Sequence, residues 1–268
     1  MRTGLFDEAC AAIDEVGPRV ADLIRTNRGL TRPAIGNWGL ADLAAHLSHV
    51  MKVDADSVSG RPVPDVTPPL SAARVTALTT LMMAADSERD PRVLADRIAA
   101  TGAAFTKVEP SAETVTWLAG MQLPPSAVAC HLLEELLVHG FDIAQAARAP
   151  WPIHPAHAAL VIAGAVVPIL SADPMTFLDP EQARGFRARI DIRLRGFERY
   201  GFLFDDGLVI ESGPTAAADV HLSIQPDQML LVTLGRMAAW RPFVAGKAFV
   251  WGRRPDHLLK MMRVVVGP

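Results

Sequence analysis

Apolar residues return every three or four positions from Leu5 to Thr26, the spacing that gives a helix one buried stripe. Pro18 falls inside that stretch and is expected to kink or break it. A Gly- and Pro-bearing loop, Gly29 to Gly36, leads to a second helix expected from about Gly39 to Ser59. Asp42 sits in its first turn, where a negative charge suits the helix dipole. Arg61 to Leu70 holds four prolines and reads as a loop. Two more helical stretches come next, roughly Ala72 to Ala85 and Pro91 to Ala104, parted by the polar run Asp86-Ser87-Glu88-Arg89-Asp90. Val115 to Val128 looks extended and closes on Pro124-Pro125, and a long helix is expected from about Ser126 to Ala147. Helices of this length joined by loops predict an up-and-down bundle.

The period changes after Ala149-Pro150-Trp151-Pro152. One more apolar helix is expected at about residues 155–170, and then a period of two takes over. Phe186, Ala188, Ile190, Ile192 and Leu194 alternate with Arg187, Arg189, Asp191, Arg193 and Arg195, the pattern of a strand with one buried face. Phe202-Leu203-Phe204 and Leu208-Val209-Ile210 flank Asp205-Asp206-Gly207, a hairpin signal. Val220 to Ile224 predicts another strand and Pro226-Asp227 a helix to about Leu234. Gly246 to Trp251 predicts a last strand and Pro255 to Val264 a last helix. The expected organisation is therefore an all-α unit over residues 1–150 and an α+β unit over residues 151–268.

Composition narrows the class. Half of the 268 residues are hydrophobic, enough for two cores, and a formal net charge of −3 gives no electrostatic reason to expect nucleic acid. Cys10 and Cys130 lie in apolar helical patterns and read as buried thiols of a reducing compartment, with a lone disulfide as the alternative. The opening MRTGLFDEAC is acidic where a secretion signal needs an apolar core. The run Ala158 to Leu170 is short for a bilayer and contains Pro168, so it reads as a buried helix. The expectation is a soluble, cytoplasmic protein with no membrane span.

The polar residues that interrupt the apolar helices carry the chemistry. In Glu135-Leu136-Leu137-Val138-His139 a carboxylate and an imidazole four apart share one helical face, with Asp142 one turn on. Taken alone, such a pair is more often a surface ion pair. Here Leu132, Leu133, Leu136, Leu137 and Ile143 surround it, so the polar groups need partners inside the bundle. The second helix offers His46, again among apolar neighbours; a lone histidine there is more often a core residue than a ligand. Bundle-core metal sites, however, draw carboxylates and histidines from facing helices.

Two segments then carry a specific resemblance. Trp38-Gly39-Leu40-Ala41-Asp42-Leu43-Ala44-Ala45-His46-Leu47 resembles the W-x-x-x-D-L-x-x-H-L signature of the mycothiol-dependent maleylpyruvate isomerase family, whose N-terminal part is a DinB-like four-helix bundle. Glu135-Leu136-Leu137-Val138-His139-Gly140-Phe141-Asp142-Ile143-Ala144 is similar to its second signature, E-L-x-V-H-G-x-D-L-A. The resemblance implies that His46, Glu135 and His139 hold a divalent metal, for which this donor set suits Zn²⁺. It also implies mycothiol as thiol cosubstrate, and either isomerisation or S-transfer. From Phe186 onward the pattern resembles the sterol-carrier-protein-2-like α+β domain that succeeds the bundle in many members. Ala218-Asp219-Val220-His221-Leu222-Ser223-Ile224 and Gly246-Lys247-Ala248-Phe249-Val250 carry that part.

Neighbouring residues leave alternatives open. His49 could compete with His46. His131, one turn before Glu135, either lines the cavity or is a satisfied core histidine. Asp142 either orients a ligand from outside the coordination shell or makes a helix-surface hydrogen bond. Trp38 reads as a core residue fixing the start of its helix. Arg187, Arg189, Arg193 and Arg195, or Arg236 and Arg241, could meet an acidic substrate; a solvated strand face that discourages edge pairing is the simpler reading of the first four. Three protein ligands leave a coordination position open, which suits catalysis. The rival functions are a metal-containing carrier of a hydrophobic ligand and a metal-assisted hydrolase using bound water. No Gly-rich phosphate loop, G-x-S-x-G elbow or paired-cysteine zinc motif is present.

Overall fold

The computed structural model describes residues 4–64 and 72–266. The expected proline loop is described only as far as residue 64, and its remainder lies outside the described residues. The chain divides between Ile153 and His154 into two compact units.

The first unit is helical: α1 (Gly4–Thr26), α2 (Leu40–Val58), α3 (Ala72–Ala85), α4 (Pro91–Phe105) and α5 (Pro125–Ala147), with a short β1–β2 hairpin (Val115–Thr116 and Gln122–Leu123) before α5. Helices α1 and α2 each pack against both α4 and α5, making a four-helix core, while α3 lies alongside α2. Helix α1 contributes Phe6, Ile13, Val16, Val20 and Ile24, all at most 1% exposed, from a single stripe. Fully burying a side chain of this size contributes about 1.5–3 kcal/mol. Pro18 does not break α1. It lies on the exposed side, as does Asp14, whose carbonyl loses its helical donor and can be hydrated.

Helix α5 is buried nearly all round, with Leu132, Leu133, Leu136 and Leu137 fully inside. Such a helix can carry a polar side chain only where that chain finds a partner. Its first turn opens on Pro125, whose missing N–H is one a helix start leaves unbonded anyway. Cys10 and Cys130 are buried and not joined in a disulfide, and burial pushes the Cys130 thiol up to about 12, far from a reactive thiolate.

In the second unit α6 (Pro155–Val161), a π-helical turn (Ile162–Val166) and α7 (Val167–Ala172) form one helical stretch. The wide turn falls just before Pro168, where a regular helix would lack one N–H and crowd the Gly164 carbonyl. The stretch runs to 18 residues, longer than the apolar run suggests, and is long and apolar enough to cross a membrane by length and composition. Only 39% of it is buried, and α6 packs against α9 (Pro226–Thr233) of its own unit.

A short helix, α8 (Pro180–Ala183), leads into a mixed five-stranded sheet. Its strands are β3 (Arg187–Leu194), β4 (Arg199–Asp205), β5 (Leu208–Ser212), β6 (Val220–Ile224) and β7 (Ala248–Gly252), in the order β5-β4-β3-β6-β7. Only the β3–β6 pair is parallel. Helices α10 (Arg241–Val244) and α11 (Asp256–Val264) flank β7 in sequence. Asp206-Gly207 forms the expected hairpin turn, with Asp206 at φ +52°.

Strand β3 departs from its own alternation at one place. Ala188, Ile190, Ile192 and Leu194 face the core and Arg187, Arg189 and Arg193 are exposed, but Asp191 is only 1% exposed. Three groups converge on its carboxylate. Arg199 donates two hydrogen bonds at 2.6 Å, His221 Nδ1 lies at 2.7 Å and the Thr215 N–H donates at 3.3 Å. The covering residue reaches it because Gly201, opposite Asp191 on β4, has no Cβ; one placed there would lie 2.2 Å from Thr215 Oγ1.

Candidate metal centre

Helices α2 and α5 pack against each other, and their polar residues meet in two rungs. His46 faces the level of Glu135 and His139, while Asp54 faces His131. Eight residues separate His46 from Asp54 and His131 from His139, about 12 Å of helix in each case, so the two helices run antiparallel. Residues 131, 135 and 139 rise at four-residue steps along one face of α5.

The upper rung is the candidate site. One ligand atom each of His46, Glu135 and His139 lies within 4.8 Å of the other two. Glu135 Oε2 is 3.4 Å from His46 Nε2 and 3.2 Å from His139 Nε2. Nitrogen and oxygen donors on one tetrahedral Zn²⁺, each at about 2.0–2.2 Å, stand roughly 3.3–3.6 Å apart. The rings of His46 and His139 meet edge to face with centroids 5.1 Å apart.

The hydrogen-bond pattern fits a cation at this point. Glu135 Oε2 is buried and has no hydrogen-bond partner, although two imidazole nitrogens face it. His139 Nδ1 is 2.9 Å from Asp142 Oδ2, so the ring gives its Nδ1–H to that carboxylate. In the neutral ring Nε2 then carries a lone pair aimed at a carboxylate oxygen. Two electron pairs in that geometry repel unless a proton or a metal ion lies between them. Without a metal the site takes the proton. Burial works against charge on His139, but Glu135, joined by Asp142, overcomes it and raises the imidazole to about 9. Burial likewise opposes the charged form of Glu135, and His139 and then His46 hold it well below the usual carboxylate range.

The side chains of His46, Glu135 and His139 remain 13%, 17% and 11% exposed, although Glu135 Oε2 itself is buried. Trp38 is half-buried rather than a core residue; its ring stands 5.2 Å from that of His46. The first turn of α2 is set by the Gly39 N–H donating to Asp42 Oδ2 at 3.3 Å, and Arg89 donates to the other Asp42 oxygen at 3.2 Å. Gly140, beside His139, lets Trp151 lie against α5: a Cβ there would be 2.2 Å from the indole, whose N–H donates to the Leu137 carbonyl at 2.9 Å. His49 is not in the cluster, and its Nε2 faces Asp86 at 3.9 Å.

His131 is a bonded histidine that also reaches the site. Its Nδ1 is 2.8 Å from Asp54 Oδ2 and its Nε2 is 3.6 Å from Glu135 Oε1. Asp54, 1% exposed, is a residue that sequence reasoning missed. The available signal was a carboxylate in an apolar helix two turns after His46.

The arginines of the second unit have local roles. Arg187 pairs with Asp205 at 2.8 Å, Arg189 and Arg193 are exposed, and Arg195 lies over the Phe249 ring at 4.9 Å. Arg236 donates to the Leu234 carbonyl at the end of α9, and exposed Arg241 opens α10.

No protein-family model matches the chain, and no curated protein matches it. Among solved structures, it is similar to a mycothiol-dependent maleylpyruvate isomerase, with a TM-score of 0.52 at 12% identity over 87% of this chain and 90% of that one. A histidine-to-alanine variant of a mycothiol-dependent maleylpyruvate isomerase aligns with a TM-score of 0.51 at 11% identity and the same coverage. Sterol Carrier Protein 2 from Yarrowia lipolytica aligns over 38% of this chain and 92% of its own at 22% identity, with a TM-score of only 0.27. At these identities the likeness is one of architecture, so the chain is a mixed helical and sheet protein with a maleylpyruvate isomerase-like fold.

Proposed function

We propose that His46, Glu135 and His139 hold a divalent metal ion, Zn²⁺ by their donor set, and that the protein is a thiol-dependent enzyme using mycothiol. The observation that carries the metal is Glu135 Oε2, buried and without a hydrogen bond between two imidazole nitrogens at 3.2 and 3.4 Å. The fold shared with mycothiol-dependent maleylpyruvate isomerase supports the thiol. The four-helix core of the first unit supports the DinB-like bundle, and the mixed sheet with its helices supports the sterol-carrier-protein-2-like domain, that the sequence resemblance implies.

Such an ion, held by His46, Glu135 and His139, would supply Lewis-acid stabilisation of a thiolate at neutral pH. The chain's own residues supply the rest. Asp142 keeps His139 in the tautomer that presents Nε2, and Glu135 offsets the ion's charge. Trp38 walls one side of His46, and a thiol would approach from the part of the three side chains that remains exposed. Addition of the thiolate to an activated cis double bond makes that bond single. Rotation and then loss of the same thiolate gives the trans isomer. Capture of an electrophile by the thiolate gives S-transfer instead, and the site serves either outcome.

Metal analysis joined to a thiol titration tests this reading. Wild-type protein should bind about one Zn²⁺ per chain, and His46→Ala and Glu135→Ala should lose it. Metal-loaded protein should consume or turn over mycothiol with maleylpyruvate-like or alkylating electrophiles. Wild-type metal content in both variants would remove the ligand assignment. Absence of turnover across both electrophile classes would remove the enzyme reading and leave a metal-binding protein.

A further inference from the structure

The carboxylate of Glu135 has two oxygens in different surroundings. Oε2 stands between His46 and His139, whereas Oε1 has the edge of the His131 ring 3.6 Å away. His131 is itself held from behind, its Nδ1 2.8 Å from Asp54 Oδ2, and the other Asp54 oxygen accepts the Trp117 indole N–H at 2.9 Å. The Trp117 and His131 rings pack edge to face with centroids 4.7 Å apart. Trp117 comes from the β1–β2 hairpin, which is fastened to α2 by the Ser57 hydroxyl donating to the Thr116 carbonyl at 2.8 Å. Asp54 is thus a fully buried carboxylate with both oxygens engaged, and among the described residues His131 links it to the candidate site.

From this geometry we infer that Asp54 and His131 are positioning residues for Glu135. His131, held by Asp54, stands on the Oε1 side of its carboxylate, so that Oε2 alone is presented to the ion. The inference rests on the proposed metal centre and adds a coordination mode to it. Glu135 ligates through one oxygen, which keeps the coordination number low and a position open. The arrangement parallels Asp142 and His139: in both, a buried aspartate fixes an imidazole, in one case a ligand and in the other the neighbour of a ligand.

A purely structural role is the competing explanation, since the same contacts also tie the hairpin to α2. The two differ in what they predict for the metal itself. Co²⁺ is the probe, because the intensity of its visible absorption separates four-coordinate from higher-coordinate sites. Asp54→Asn keeps the shape of the buried group and His131→Gln removes the ring edge from Oε1. Both should weaken Co²⁺ binding by about 10–100-fold and weaken the absorption of the loaded protein as Glu135 becomes free to use both oxygens. Trp117→Phe leaves the Asp54–His131 bond in place, so it should lower the melting temperature while keeping the wild-type spectrum. Wild-type affinity and spectrum in folded Asp54→Asn and His131→Gln would overturn the inference and leave the metal reading standing. Should neither variant fold, a structure of the wild-type protein loaded with Zn²⁺ decides. Glu135 bound through Oε2 alone supports the pair, and a bidentate Glu135 overturns it. A wild-type protein that takes up no Co²⁺ overturns both readings at once.

Discussion

His139 is the residue at which folding, protonation and metal binding compete most directly. Its ordinary value of 6.5 is pulled down by burial, but Glu135 and then Asp142 raise it to about 9 in the metal-free protein. A ligand must shed its proton before it binds, so apparent Zn²⁺ affinity should rise about tenfold per pH unit up to about pH 9 and then level off. Competition titrations with a chelator of known affinity between pH 6 and 10 would check this; a flat profile would mean that metal binding displaces no proton from His139. The same shift fixes a stability trend. A group raised on folding stabilises fully below its unfolded value and loses that contribution as pH climbs through the folded one. Metal-free protein should therefore lose stability between about pH 6.5 and 9 from this residue. Removing the neighbour that sets the tautomer, by Asp142→Ala, should cost about 10–100-fold in metal affinity and shift the levelling point to lower pH. The three candidate ligands were legible in the sequence because two short segments carry them all, each in an apolar helix where a charged side chain has to find partners. Asp54 was not legible, because its partners are 63 and 77 residues away and neither Trp117 nor His131 points to it in sequence.

Helix α1 was legible because its burial follows the helical period, and α5 because a long apolar run lies between Pro125 and Pro150; the exceptions have local causes. Pro18 sits inside α1 on its solvent side, where a hydrated carbonyl replaces the lost hydrogen bond. Pro168 sits inside an apolar run and is accommodated by the π turn before it. The alternation along β3 predicts an exposed Asp191, which is instead buried by Arg199 of β4, His221 of β6 and a loop two strands later that bears Thr215. The approach of that loop depends on Gly201 of β4, not on any residue of β3. Gly140 shows the same logic on α5. The glycine next to His139 seats the Trp151 ring on its bare Cα. Gly140→Ala should accordingly destabilise the protein by about 1–3 kcal/mol, despite the higher helix propensity of alanine. The comparison to make is of urea midpoints for Gly140→Ala alone and in a Trp151→Ala background. Most of the penalty should vanish in the second, since the collision is with that ring; an equal penalty in both would place its origin elsewhere.

On the scale of the whole chain, the candidate centre and the buried ion cluster belong to different units. All three candidate ligands come from α2 and α5, while Asp191, Arg199 and His221 belong to the sheet. The change of architecture was legible because the hydrophobic period changes from 3.6 to 2 after a proline-rich break. Two units with separate polar centres should respond differently when one centre is disturbed. An ion that binds only the folded form stabilises it by mass action, and the stabilisation is greatest where its ligands are joined. Chelation should therefore raise amide hydrogen exchange most in α2 and α5, the two helices an ion would clamp, and least in β3, β4 and β6. Asp191→Asn should do the reverse. It leaves Arg199 and His221 facing a neutral group, at a cost on the order of 1–3 kcal/mol, moderated by their partial exposure, and loosens the centre of the sheet. Peptide-resolved exchange on metal-loaded, chelated and Asp191→Asn protein would read both effects in one experiment. If chelation loosened β3, β4 and β6 as much as α2 and α5, the ion would not be acting as a clamp between two helices. Either its ligands would lie elsewhere, or its stabilisation would be spread through a fold that melts as one.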